Sequence, residues 1–181
     1  MTVSSPRLPA SFTLTPSHTA DIVLPFQPGE RRACGTVVVV GASTGGTEAL
    51  KTLLCQLPVS MPPIVVVQHM PEMFTRSFAN RLDTLAALRV KEAEQGDVLK
   101  AGTVYIAPGH SHVLITASGG GLSLRLSDAP EVNRHRPSVD VLFRSAANVL
   151  GRAAIGVILT GMGRDGARGM AEMKQCGGYN L

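Results

Sequence analysis

Val37-Val38-Val39-Val40-Gly41-Ala42-Ser43-Thr44-Gly45-Gly46 joins a β-branched run to a glycine-rich turn that carries a single serine. Four consecutive valines with no polar residue between them read as a strand covered on both faces. Residues 44–57 then place Ala49, Leu50, Leu53, Leu54 and Leu57 at helical spacing, so the stretch predicts strand, tight turn and helix with Ser43 at the apex. Glycines before a helix N-terminus let a phosphate approach backbone N–H groups, or let a nucleophile sit on a sharp bend. Gly41-x-Ser43-x-Gly45 has the spelling of the nucleophile elbow, whereas a G-x-G-x-x-G dinucleotide fingerprint would need glycine where Ser43 stands. The elbow is the favoured reading. Its alternatives are a nucleotide-binding module that uses the 41–46 turn and a purely structural turn with Ser43 as helix cap.

The pattern repeats downstream. Ile64-Val65-Val66-Val67-Gln68 is a second continuous apolar strand and stops at His69-Met70-Pro71. Phe74, Phe78 and Leu82 recur every fourth residue, predicting a helix over residues 72–87 with Pro71 at its start. Ala154-Ile155-Gly156-Val157-Ile158-Leu159-Thr160 is a third such strand, ending in Gly161-Met162-Gly163-Arg164-Asp165-Gly166 before a helix near Ala167. Between them, residues 90–126 break into short strands separated by Gly96-Asp97, Ala101-Gly102, Pro108-Gly109 and Gly119-Gly120-Gly121, which predicts a hairpin-like insertion. Val139, Leu142, Phe143, Ala146, Val149 and Leu150 form an apolar helical stripe that suits a core position. The expected fold is α/β: a doubly wound, mostly parallel sheet with helices on both faces and a β-hairpin insertion, three layers in all.

Composition bounds the rest. The 181 residues, 44% of them hydrophobic and 17% charged, suffice for one substantial core. The net charge of +4 is dispersed. Only Arg31-Arg32 and Arg134-His135-Arg136 cluster, and no aromatics interleave with them, so a nucleic-acid partner is not expected. Cys34, Cys55 and Cys176 are far apart and never in C-x-x-C spacing, which argues against a disulfide framework or zinc knuckle and suits a reducing cytoplasm. No apolar run approaches the roughly 18 residues of a membrane span, so no membrane insertion is expected. His110 and His112 lack carboxylate or thiolate partners at ligand spacing and read as surface histidines. Residues 1–34 alternate Pro, Ser, Thr and short apolar pairs and read as a disordered linker, leaving residues 35–181 as the folded unit.

Ser43, His69 and Asp165 thus each follow a buried strand, and in an open parallel sheet such ends converge on one carboxyl-edge crevice. Acyl transfer needs those three residue types: an imidazole to take the serine proton, and a carboxylate to fix its tautomer and stabilise its cation. Thr44, the residue after the nucleophile, offers a backbone N–H for an oxyanion, and the 161–163 loop a second. The order Ser, His, Asp differs from that of the α/β-hydrolases.

Gly41-Ala42-Ser43-Thr44-Gly45-Gly46, Gln68-His69-Met70-Pro71, Val104-Tyr105-Ile106-Ala107-Pro108-Gly109, Arg136-Pro137-Ser138-Val139-Asp140-Val141-Leu142-Phe143 and Thr160-Gly161-Met162-Gly163-Arg164-Asp165-Gly166 together resemble the chemotaxis-type protein-glutamate methylesterases over residues 36–181. The resemblance implies a methylesterase-type catalytic domain that hydrolyses glutamate γ-methyl esters on the cytoplasmic helices of methyl-accepting chemoreceptors and deamidates certain glutamines there. It implies Ser43 as nucleophile, His69 as base, Asp165 as orienting carboxylate, Thr44 and Met162 as oxyanion donors, no metal or organic cofactor, and a cytoplasmic location. Family members also carry an upstream receiver domain, for which residues 1–34 leave no room, and continue beyond the strand that starts at Tyr179. The chain is therefore expected to be a fragment whose last long strand has an open edge, and a catalytically silent receptor-docking piece is the other alternative.

Overall fold

The computed structural model describes residues 17–28, 35–161 and 163–181. In chain order its elements are β1 (Val37–Ala42), α1 (Gly46–Leu54), β2 (Ile64–Gln68), α2 (Glu72–Leu85), β3 (Arg89–Glu92), β4 (Thr103–Ile106), β5 (His112–Ser118), β6 (Gly121–Ser127), α3 (Val139–Leu150), β7 (Ala154–Ile158), α4 (Ala167–Gln175) and β8 (Tyr179–Asn180). β1 is buried at every position because its alternate side chains feed two cores. Val38, Val40 and Ala42 pack with Leu50 and Leu54 of α1 and Ala79 and Leu82 of α2. Val37 and Val39 pack on the other face with Leu142, Phe143 and Ala146 of α3, Met173 of α4, and Ile115 and Leu124 of the β5–β6 hairpin. The three-layer α/β/α expectation holds.

Among the described residues the sheet has six strands in the order β3-β4-β2-β1-β7-β8, and every pairing is parallel. From β1 the chain winds one way to β2, then returns through α3 to β7 on the opposite side. β1 and β7 therefore flank the topological switch point, the place where the carboxyl ends of an open sheet leave a crevice.

Several expectations need correction. The segments at Val90 and at residues 104–107 are not part of an insertion: Val90, Val104 and Ile106 are buried on the α1/α2 face, and β3 and β4 extend the main sheet. Only β5 and β6 form the separate antiparallel hairpin. On α2 the buried line runs through Thr75, Ala79 and Leu82, and Phe74 is left exposed. Within the span expected to be a disordered linker, residues 17–28 are packed on the domain. Ala20 is buried with Leu114, Val132 and Val141, and Asp21 reaches Arg144 and Arg168 at 2.8 and 3.0 Å. The expected open edge of β7 is bordered by β8, with Leu181 N–H on the Gly156 carbonyl at 2.8 Å and Ile158 N–H on the Leu181 carbonyl at 3.1 Å.

α3 is enclosed on nearly all sides, so its one arginine, Arg144, is fully buried. Its guanidinium forks onto Glu172 of α4 (Nε–Oε2 2.8 Å, Nη2–Oε1 2.5 Å), and Nη1 reaches Asp21 and the Leu24 carbonyl. A buried charge that loses its partner is costly, whereas replacing the pair by apolar groups is often neutral. Glu172→Ala should lower stability in urea denaturation by about 3 kcal/mol, and adding Arg144→Met should recover most of that loss. Equal stability of Glu172→Ala and the parent would show that the pair contributes nothing.

Candidate active site

Ser43 is the first residue beyond β1. Its N–H donates to the Thr160 carbonyl at 2.8 Å, which ties the turn after β1 to the end of β7. Its carbonyl accepts the Gly46 N–H at 2.8 Å and the Gln68 Nε2 amide at 2.9 Å. The same Gln68 amide donates to the His69 carbonyl at 3.1 Å, so one buried side chain fastens the serine turn to the histidine backbone. Gln68 also explains the second glycine of the Gly-Gly pair: a Cβ on Gly46 would collide with Gln68 Oε1 and come within 2.7 Å of Ala42 Cβ. A Cβ on Gly161 would lie 2.8 Å from that of Ser43, so a side chain there would push the serine aside. The helix-cap reading of Ser43 does not hold. Gly45, in the left-handed region at φ 78°, occupies the N-cap of α1, and the Ser43 hydroxyl points elsewhere.

It points at His69. Ser43 Oγ lies 3.1 Å from His69 Nδ1, and His69 Nε2 lies 2.9 Å from Asp165 Oδ2. A carboxylate only accepts, so Nε2 carries the ring proton and Nδ1 presents its lone pair to the serine hydroxyl. The His69 side chain is 13% exposed and that of Asp165 3%. All three expected residues meet in a pocket also lined by Thr160, Gly161 and Arg164. Thr44 follows the serine in the turn, with its carbonyl held by the Thr160 hydroxyl at 2.9 Å. Met162 lies outside the described residues.

The spacing of residues gave no sign of how Asp165 is held. Its Oδ1 accepts the Ser138 hydroxyl at 2.7 Å, Asn133 Nδ2 at 2.9 Å and the Asp140 N–H at 3.2 Å, while Oδ2 accepts the Val139 N–H at 2.7 Å as well as His69. Val139 and Asp140 open α3, so Asp165 caps that helix in place of Ser138, whose own hydroxyl caps nothing. Burial alone would raise the Asp165 pKa, but the hydrogen bonds from His69, Asn133, Ser138 and Val139 outweigh it and hold the carboxyl below its ordinary value. Asp140 returns the arrangement: its Oδ1 accepts the N–H groups of Gly166 and Gly169 at 3.0 and 2.7 Å, capping α4. Asn133 Nδ2 bridges the two carboxylates, reaching Asp140 Oδ2 at 2.7 Å. Burial pushes the Asp140 carboxyl up, against the opposing pull of the Gly169 N–H.

His112 is not a surface residue. It is fully buried, donating from Nε2 to the Pro130 carbonyl at 3.0 Å and accepting the Ser138 N–H on Nδ1 at 3.2 Å, and burial lowers its pKa. It braces the residue that donates to Asp165. His110 stays at the surface, 3.4 Å from Glu72. Among the described residues no cluster of three or more His, Cys, Asp or Glu is arranged to hold a metal ion. Among them, too, no helix is long and apolar enough to cross a membrane.

The opposite shifts of the two carboxyls give opposite stability terms. Asp165, with a lowered folded value, contributes stability that is fully present above its unfolded value of about 3.9 and lost as pH falls through the folded one. Asp140, with a raised folded value, contributes stability that is present below about 3.9 and lost as pH rises through its folded one. Asp165→Asn puts an amide against donors, and should lower the melting temperature at neutral pH by about 2 to 10 °C. It should also make the fall in melting temperature between about pH 5 and pH 2 shallower than in the parent. Coincident melting curves for the two proteins across this range would show that the cap carries no stability.

The chain is similar to several known proteins. The family model described as CheB methylesterase matches residues 38–181. The protein-glutamate methylesterase/protein-glutamine glutaminase of Thiobacillus denitrificans is 61% identical over 145 residues, covering 80% of this chain and 41% of the relative. That of Geobacter metallireducens is 54% identical over 164 residues, covering 91% of this chain and 45% of the relative. The chain thus spans less than half the length of these curated relatives. The crystal structure of the Thermotoga maritima CheB methylesterase catalytic domain superimposes with a TM-score of 0.80 at 46% identity, covering 82% of this chain and 79% of that one. By its motifs, its fold and the extent of these matches, the chain belongs to the CheB methylesterase family.

Proposed function

We propose that this chain is the catalytic portion of a protein-glutamate methylesterase that also deamidates protein glutamines, acting in the cytoplasm on the cytoplasmic helices of methyl-accepting chemoreceptors. The observation that carries the reading is the relay of Ser43 Oγ, His69 and Asp165 at 3.1 and 2.9 Å, set beside a pocket at the switch point of the sheet. Relatives 61% and 54% identical to this chain over their matched regions are named for both activities.

In this reading His69 Nδ1 takes the Ser43 proton as Oγ attacks the side-chain ester carbon of a methylated glutamate. Charge gathers on the former carbonyl oxygen, where the Thr44 and Met162 backbone N–H groups are the donors. Collapse breaks the bond to methoxide, which leaves as methanol with the proton from His69. Water then attacks the glutamyl-serine ester, giving one proton to His69, and Ser43 leaves with that proton, freeing a glutamic acid side chain that loses its remaining proton to solvent. With glutamine the leaving group is ammonia. Asp165 stays ionised throughout and stabilises the imidazolium formed in each half-reaction.

The test is methanol release from a methyl-esterified cytoplasmic receptor fragment. Ser43→Ala should lower the rate on the order of a thousandfold or more, and retention of more than about a tenth would remove Ser43 as nucleophile. A base must be neutral to act, so kcat/KM should fall toward acid pH in the parent. If His69→Gln kept both the rate and that acid limb, another group would be the base.

A further inference from the structure

The relay leaves out the ring that lies nearest to the base. The imidazole of His135 is stacked on that of His69, with centroids 3.7 Å apart and planes 9° from parallel. A tight loop presents it: Val132 N–H donates to the His135 carbonyl at 3.1 Å and His135 N–H to the Val132 carbonyl at 2.9 Å. Asn133 and Arg134 between them take left-handed backbone angles, φ 52° and 66°. The loop is fastened at two further points. The Asn133 N–H donates to the His18 carbonyl at 2.9 Å, and the Asn133 amide bridges Asp140 and Asp165. One loop therefore sets Asn133 on the carboxylate and His135 on the imidazole.

We propose that His135 is a positioning residue of the hydrolytic site, a neutral aromatic shelf that keeps the His69 ring in the plane joining Ser43 to Asp165. The proposal rests on the reading of His69 as the base. Hydrogen bonds at Nδ1 and Nε2 hold that ring by its edge, and the χ2 torsion of histidine has broad wells. Edge contacts alone leave the ring free to tilt, and a flat partner on its face opposes the tilt. The shelf serves a second purpose when His69 takes the serine proton, because the π-face of a neutral ring attracts a cation stacked on it. A protonated His135 would repel that cation. Burial first, and the charge of His69 second, lower the His135 pKa and favour its neutral form, against the pull of Asp165 and Glu131.

The test compares side chains on the full chain, with methanol release from a methyl-esterified cytoplasmic receptor fragment. His135→Ala removes the shelf and should lower kcat by about 10- to 100-fold with KM within about threefold, the scale of a misplaced catalytic group. His135→Phe keeps a flat ring that cannot titrate and should restore kcat to within about fivefold of the parent. His135→Leu supplies bulk without a face and should fall with Ala. An Ala variant with more than half the parental kcat, or a Phe variant no better than Leu, would overturn the shelf. The comparison of Phe with Leu stands if Ala fails to fold. His69→Gln separates the two readings. If it is inactive while His135→Ala is not, only the shelf fails, and if it keeps the parental rate, the base and the shelf fall together.

Discussion

Two buried carboxylates cap each other's helices, and the site depends on that exchange. Asp165 stands just before α4 and closes the N-terminus of α3, while Asp140 stands in the first turn of α3 and closes the N-terminus of α4. Each carboxylate meets backbone N–H groups at the start of a helix, and for Asp165 the bonds from His69, Asn133 and Ser138, with that from the Val139 N–H, hold its carboxyl below the ordinary value against its burial. The exchange also fixes where the two helices start. Val139, first in α3, packs against Gly41 and Gly166, so the helix that Asp165 caps forms part of the wall behind the serine turn. Asp165 is thus a bracket between two helices, and its position follows from their packing.

Much of this was legible in the sequence because parallel strands covered on both faces have to be apolar throughout. Runs such as residues 37–40, 64–67 and 154–159 have no other economical reading. Their ends located Ser43, His69 and Asp165, since the topology of an open parallel sheet gathers such ends on one edge. β3 and β4 were misassigned for a related reason. They are short, lie among turn signals and sit at the far side of the sheet, and β3 in particular is only partly covered. The pattern of a half-buried edge strand is locally that of a hairpin. On α2 a four-residue recurrence of large residues was visible, but small ones, Thr75 and Ala79, make the close contact with the sheet.

The polar frame of the site was not legible. Apart from the bond between Asn133 and Asp140, seven residues apart, Gln68, Asn133, Asp140 and His135 act on partners some 25 residues away or more, or on backbone groups, and neither periodicity nor spacing encodes such bonds. Only the unusual backbone of the 132–135 loop hinted at itself, through an Asn in a position that tolerates the left-handed region. The same limit applies to residues 17–28. Their composition is that of a linker, and what holds them, a buried Ala20, the reach of Asp21 toward a buried arginine and backbone bonds of His18, Leu24, Pro25 and Gln27 to distant residues, does not stand out in a local reading.

The central position of β1 has a consequence for how the molecule is made. Val38 lies beside Ile64 on one side and beside Ile155 on the other, so one neighbour comes from the adjoining chain and the other from near its end. Closing the first seam costs a short loop, whereas the second must bring together segments separated by most of the domain, and such contacts form slowly. The serine turn and the histidine can assemble on the first half of the sheet, but the Thr160 carbonyl that anchors Ser43 and the carboxylate of Asp165 arrive only with β7. A folding intermediate with β1 and β2 paired would hold Ser43 and His69 without Asp165. The proposed hydrolysis therefore requires closure of the β1–β7 seam, a long-range step of the topology, and refolding followed by methanol release would lag refolding followed by secondary structure.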